Sequence, residues 1–216
     1  MDAGGAVCWG MPRVVLLDET PLPLTPPREP GPYRREHYLQ LPDEPRHELI
    51  YGRLYVIPSP ILLHQIAVTL LGRLLDEIAA GAGGLAIVAP MDVTLADHSV
   101  VQPDVVYVSR DRRRVLGERI EGPPSLVVEV TSPGTARRDR AEKLKLYAES
   151  GVDEYWIVDA SERQIEHLVR HGKEFVVTLS DGPAYRSAAL PEIVIDLECF
   201  WSDFGRRVEI LVDSGR

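Results

Sequence analysis

The sequence predicts an α/β or α+β fold in which helices pack on a mixed sheet, and three observations lead there. An apolar stripe at helical spacing runs from Leu63 to Ile78. A series of short Val-rich runs follows between Leu85 and Val130. A second amphipathic stretch, closed by Gly151, then leads into the apolar run Glu154-Tyr155-Trp156-Ile157-Val158.

In chain order, residues 12 to 32 carry Pro12, Pro21, Pro23, Pro26, Pro27, Pro30 and Pro32, which remove backbone donors and prevent regular helix. Residues 1–32 are therefore expected to form a Pro-rich arm, and 33–216 one domain. A short strand is expected from Arg53 to Ile57. Ser59 as N-cap with Pro60 in the first helical position then opens a helix. Leu63, Ile66, Ala67, Leu70, Leu74 and Ile78 form its inner stripe, and Gly81 is its expected stop. Strands follow at Leu85 to Ala89, at Val93 to Leu95 and, after the turn Ala96-Asp97-His98-Ser99, at Val100 to Val108. Leu126 to Val130 is almost wholly apolar, as a central strand buried on both faces should be. A helix is expected from about Ala136 to Ser150, with Ala141, Leu144, Tyr147 and Ala148 turned inward. Gln164 to Arg170 and Glu174 to Leu179, around His171-Gly172, read as a C-terminal β-hairpin.

At 216 residues and 44% hydrophobic content the chain buries one sizeable core. It has neither a long apolar run nor a basic, apolar N-terminal leader, so a cytoplasmic protein with no membrane partner is expected. Cys8 and Cys199 lie far apart without a C-x-x-C spacing, which excludes a disulfide framework and a cysteine zinc site. The net charge of -9 argues against a protein that coats nucleic acid over its whole surface, yet it leaves room for a local basic groove. Arg110, Arg112, Arg113, Arg114 and Arg119 form one candidate cluster, and Arg137, Arg138, Arg140, Lys143 and Lys145 form another. Each cluster follows one of two unusual carboxylates.

Those carboxylates are Asp104, which opens the run Val105-Val106-Tyr107-Val108, and Glu129, enclosed by Leu126-Val127-Val128 and Val130. A carboxylate inside a Val-rich strand costs several kcal/mol unless a cation, a proton or good hydrogen bonds compensate it. Two such groups fit magnesium, which takes one or two carboxylates and keeps positions for water and a phosphate. Hydrolysis of a phosphodiester is the natural use of that arrangement. Lys143 stands one helical turn before Tyr147, on the flank of the second helix, where its ammonium would lean over the end of the Glu129 strand. Considered alone, a helix lysine extends into solvent. His167 and His171 are four residues apart, but in a hairpin rather than a helix that spacing is not expected to put them on one face, so no zinc site is predicted. Neither a G-x-S-x-G elbow nor a P-loop occurs.

Several motifs in order resemble one family. Gln102-Pro103-Asp104, Val127-Val128-Glu129-Val130-Thr131-Ser132-Pro133, Asp139-Arg140-Ala141-Glu142-Lys143, Tyr147 and Gly151-Val152-Asp153-Glu154-Tyr155-Trp156 together resemble the Uma-two (Uma2) family of restriction-endonuclease-like proteins. His47-Glu48-Leu49-Ile50 with Gly52, and Ser59-Pro60 with His64-Gln65, resemble its N-terminal part. The resemblance covers roughly residues 33 to 200. It implies the PD-(D/E)XK nuclease superfamily: an αβββαβ core, Mg2+ dependence with Mn2+ as an alternative, and DNA as partner.

On that resemblance Asp104 and Glu129 are metal ligands, Glu48 is the additional N-terminal helix or loop acid of the site, and Lys143 is the catalytic lysine. Thr131 stands where the superfamily usually has lysine, and the Uma-two pattern moves that lysine to the following helix. Lys145, on the other flank of the same helix, is the second choice, and His64 is a further candidate. Tyr51 replaces an aspartate common in the family, so an altered turn is expected there. Double-strand cutting would favour a homodimer. The competing reading is a catalytically silent nuclease-fold module for binding or assembly, suggested by Thr131 and the acidic net charge.

Overall fold

The computed structural model describes residues 29–131, 142–180 and 182–213, with side chains described as far as Ile210. Most of the Pro-rich arm, the start of the second predicted helix, and Arg137, Arg138 and Arg140 lie outside the described residues. The order is α1 (Arg35–Tyr38), β1 (His47–Ile50), β2 (Arg53–Val56), α2 (Leu62–Ala82), β3 (Leu85–Val88), β4 (Val93–Ala96), β5 (Ser99–Val101) and β6 (Val105–Val108). After a 3-10 turn at Arg110–Val115 come β7 (Ile120–Glu121), β8 (Leu126–Val130), α3 (Leu144–Ser150), β9 (Glu154–Asp159), β10 (Gln164–His171) and β11 (Glu174–Thr178). The chain ends with β12 (Ala184–Arg186), β13 (Val194–Asp196) and α4 (Leu197–Asp213).

The main sheet has the order β11-β10-β9-β8-β6-β3. Its strands β3, β6 and β8 pair antiparallel, and β8 pairs parallel with β9. With α2 before and α3 between β8 and β9, this is the predicted αβββαβ core with a mixed sheet, and β10 and β11 form the predicted hairpin. Every residue of β8 is buried, because β6 and β9 flank it and helices cover both of its faces. Alternation along the strand sends Leu126, Val128 and Val130 to the α2 side and Val127 to the α3 side. Each such side chain contributes on the order of 1.5–3 kcal/mol of transfer free energy.

A second sheet, β2-β1-β5-β4-β7, stands against the α3 side of the first, where Ile50, Tyr55, Val93 and Val101 share a core with Val106, Val127, Tyr147 and Tyr155. The sequence reading continues a single strand from Val100 to Val108. The chain instead leaves the second sheet after Val101 and enters the first at Val105, because Pro103 has no N–H with which to continue a ladder. The first long helix begins at Leu62 with Ile61 at its N-cap, two residues later than Ser59-Pro60 implied, and it ends at Gly83 in the left-handed conformation rather than at Gly81.

Tyr51 and Gly52 join β1 to β2 with φ of 47° and 74°, a two-residue turn with both residues left-handed. Tyr51 therefore keeps a conformation that suits aspartate or glycine better. His167 and His171 both lie in β10, where an even spacing does put them on one face, contrary to expectation; roughly 13 Å of strand separates them, which still rules out a shared ion.

Candidate metal and catalytic centre

Glu129 projects from β8 toward α3, on the same side as Val127. Lys143 caps the N-terminus of α3, and its Nζ donates to Glu129 Oε1 at 2.7 Å. The same ammonium lies 2.9 Å from Oε1 of Glu48, which projects from the second strand residue of β1. Tyr147 follows Lys143 by one helical turn, so its hydroxyl reaches the same Glu129 oxygen and donates to it at 2.7 Å. The Gln102 backbone N–H donates to Glu48 Oε1 at 3.0 Å. Lys143, Glu48 and Glu129 are 2%, 1% and 5% exposed, so this is a buried ion cluster and Lys143 does not extend into solvent.

Asp104 stands at the same end of the sheet. The register Val105↔Val128 and Val106↔Val127, carried one residue further, places Asp104 opposite Glu129. Asp104 Oδ2 accepts the Val130 N–H at 2.7 Å and lies 3.2 Å from His64 Nε2, which α2 delivers from its first turn. Both contacts fall on Oδ2, and the Asp104 side chain is 19% exposed.

The fold thus gathers Asp104, Glu129, Lys143, Glu48 and His64. Glu48 comes from a strand, not from the helix or loop expected of it. Lys145 stays outside: its Nζ is 3.7 Å from Glu149 Oε1 and 5.9 Å above the Tyr51 ring. Arg112 is likewise structural, donating to the carbonyls of Pro123, Pro124 and Gly151 and to Asp153. Sequence reasoning assigned no role to the Tyr147 hydroxyl or the Gln102 amide. The i, i+4 spacing of Lys143 and Tyr147 was a usable signal for the first. For the second, Gln102 supplies the last backbone N–H before Pro103 and Asp104.

The electrostatics follow from this packing. Burial, reinforced by the charges of Glu129 and Glu48, pushes the Tyr147 hydroxyl well above its usual range, so it remains a neutral donor. Glu48 and Glu129 face the Lys143 ammonium and Asp104 lies opposite Glu129, so among the described residues of this cluster three carboxylates accompany one ammonium, a formal excess of two negative charges when His64 is neutral. Among the described residues, no three His, Cys, Asp or Glu side chains form a metal cage by themselves. An all-oxygen donor set of this charge suits a hard divalent cation that keeps water and phosphate among its ligands. Asp104 and Glu129 have the right chemistry to hold it, with Glu48 behind them.

Comparison with known proteins agrees with this architecture. The Uma2 family model, described as "Putative restriction endonuclease", matches residues 35–198, a span containing every residue of the cluster. The crystal structure of a protein from Anabaena variabilis, described as a "putative nuclease belonging to DUF820", superposes with a TM-score of 0.66 at 16% identity. That match covers 80% of this chain and 99% of the other, and it shows a shared fold. No curated protein matches the chain.

Proposed function

The chain belongs to the Uma2 family, and from that membership we propose that it is a divalent-metal-dependent endonuclease hydrolysing DNA phosphodiester bonds. The observation that carries the proposal is the buried Lys143 ammonium bridging Glu129 and Glu48, with Asp104 opposite Glu129 at the open end of β6 and β8. Asp104 and Glu129 would hold Mg2+ or Mn2+, with Glu48 as a further acidic group. The bound ion would supply charge neutralisation at the phosphate and a more acidic water.

The chain's own residues do the rest. Lys143, its ammonium against both Glu129 and Glu48, would orient an attacking water or meet charge developing on a phosphoryl oxygen. Tyr147 fixes the Glu129 carboxylate by donating to Oε1, and the Val130 amide fixes Asp104. The water oxygen would bond to phosphorus as the bond from phosphorus to the leaving sugar oxygen breaks, the attacking water losing a proton to solvent and the leaving oxygen taking one up from it.

The test is a paired nuclease assay with linear, supercoiled, single-stranded and branched DNA in Mg2+ or Mn2+, using wild type and Glu129→Ala. Wild type is expected to cut at least one form, and the variant to be slower by about a hundredfold or more. Failure of wild type on every form, or equal cutting by the variant, would overturn the proposal. One observation favours the second reading, a catalytically silent binding or assembly module: the Thr131 hydroxyl is committed to the Val158 carbonyl at 3.2 Å instead of serving the site. Saturable Mg2+ binding by calorimetry that disappears in Asp104→Ala would count against that alternative.

A further inference from the structure

The β1–β2 hairpin holds more of the site than Glu48. Tyr55 of β2 is the direct cross-strand partner of Glu48, so the two side chains leave the hairpin on the same face. That face packs against the main sheet, where Tyr55 shares a core with Val127 and Tyr147. The Tyr55 hydroxyl donates to the Glu142 carboxylate, at 3.0 Å from Oε2 and 3.2 Å from Oε1. Glu142 immediately precedes Lys143. Neighbours across the hairpin therefore grip consecutive residues at the start of α3: Glu48 meets the Lys143 ammonium, and Tyr55 meets the Glu142 carboxylate.

Both ends of the second contact are buried, Tyr55 being 6% and Glu142 5% exposed. A carboxylate withdrawn from water to that degree needs a donor, and among the described residues that donor is the Tyr55 hydroxyl. The consequence falls on Lys143. Its ammonium sits on a flexible four-carbon stem, and Glu48 and Glu129 hold only the tip of it. Where the stem begins is set by the backbone at 142–143, which has π-type winding, a rare form, before α3 starts at Leu144. Anchoring the residue just before the lysine fixes that starting point. The hairpin touches α3 a second time, through the Tyr51 hydroxyl donating to Glu149 Oε2 at 2.8 Å, but that acceptor is exposed and lies six residues beyond Lys143.

From this geometry we propose that Tyr55 and Glu142 are positioning residues, which act through Lys143 by fixing the start of α3 so that its ammonium stays between Glu48 and Glu129. The consequence for catalysis rests on the nuclease reading above; the placement of Lys143 does not.

The chain has three lysines, and Lys145 and Lys173 serve as internal standards because Lys173 is exposed and the Lys145 side chain is 43% exposed. Acetylation by an amine-reactive ester, in EDTA and without DNA, is followed lysine by lysine with mass spectrometry, and urea titrations measure global stability. The proteins are wild type, Tyr55→Phe, Glu142→Ala, Glu142→Gln and, as a control, Tyr51→Phe. In wild type Lys143 should react at least about a hundredfold more slowly than Lys173, since a buried amine reacts only when the structure opens. Tyr55→Phe and Glu142→Ala should each speed Lys143 at least tenfold, beyond what their loss of global stability accounts for, and leave Lys145 and Lys173 unchanged. Glu142→Gln keeps an acceptor for the Tyr55 hydroxyl and should retain the protection, as should Tyr51→Phe. Unchanged protection in Tyr55→Phe and Glu142→Ala, exposure only in proportion to global unfolding, or equal exposure in Glu142→Gln or Tyr51→Phe would each overturn the inference. On a DNA form that wild type cuts, Tyr55→Phe should lower kcat at least tenfold, because a misplacement of about 1 Å can cost about a hundredfold, with KM changed less than twofold. An unchanged kcat would overturn the positioning role. Labelling needs neither metal nor cleavage, so Lys143 exposed by Tyr55→Phe in a protein that cuts nothing would sink the nuclease reading alone.

Discussion

Lys143 holds two buried carboxylates with one ammonium, so its removal does more than delete a donor. Lys143→Met leaves Glu48 and Glu129 facing each other where water is largely excluded. Breaking a buried pair in this way costs about 3–5 kcal/mol, and in denaturant titrations at pH 8 a loss of that order is expected. Removing one of the two facing charges should recover part of the loss, so Lys143→Met combined with Glu129→Gln is expected to be more stable than Lys143→Met alone; no recovery would contradict the ion cluster. His167 makes a separate prediction with its own sign. Its ring is 2% exposed and stacks on Tyr185 at 3.5 Å, and burial pushes its imidazole down to about 3. The unfolded chain then binds the extra proton below about 6.5 while the folded chain does not, so stability is lost as pH falls from 6.5 toward 3. Between pH 7.5 and 5 wild type should lose about 2 kcal/mol more than His167→Leu. Parallel stability curves for the two proteins would show that His167 is already charged or more solvated than its packing implies.

The β1–β2 turn shows how one short connection sets the position of a site group. Gly31 N–H donates to the Tyr51 carbonyl at 2.6 Å, Tyr33 N–H to the Gly52 carbonyl at 3.1 Å, and Gly52 N–H to the His98 carbonyl at 2.7 Å. A Cβ at Gly52 would lie 2.3 Å from the Gly31 carbonyl oxygen, and Gly52 also has φ of +74°. The obstacle is backbone that cannot rotate aside, so Gly52→Ala should cost at least about 2 kcal/mol, visible as a lowered calorimetric melting temperature; an unchanged melt would mean the turn can be rebuilt. Elements of this kind were the hardest to read from sequence. The stripe of α2, the all-apolar β8 and the β9 return carry strong periodic or compositional signals, and each was recognisable. In the second sheet β2, β4 and β5 were legible as the strands expected at Arg53 to Ile57, at Val93 to Leu95 and from Val100, whereas β1 and β7, four and two residues long, carry too little pattern to separate from loop. The break at Gln102-Pro103-Asp104 was decided by pairing partners in two different sheets, which no local window contains. The C-terminal helix did offer Phe200, Phe204 and Val208 at four-residue spacing, a signal the sequence reading left unused. For the site, the family-like motifs led to Asp104, Glu129 and Lys143. Glu48 meeting Lys143, and His64 meeting Asp104, are contacts between distant elements that only the folded chain brings together.

Seen over the entire chain, a net charge of -9 opposes DNA at long range, so under the proposed nuclease function affinity would have to come from a few groups around the ion cluster. Those groups include three carboxylates, and a phosphate brought among them adds further negative charge against one ammonium. Among the described residues no helix is long and apolar enough to cross a membrane. With EDTA present, wild type should bind DNA weakly. A divalent ion that does not support cutting under the conditions used should raise affinity at least tenfold by cancelling the excess charge at the site. Asp104→Asn separates this account from a general salt effect. It removes one negative charge at nearly constant shape, so the variant should bind DNA more tightly than wild type in EDTA and gain much less from the divalent ion. Fluorescence anisotropy at fixed ionic strength measures both quantities. If wild type and Asp104→Asn respond equally to the ion, the charge excess lies elsewhere on the molecule, and Asp104 is held by Val130 and His64 for structural reasons alone.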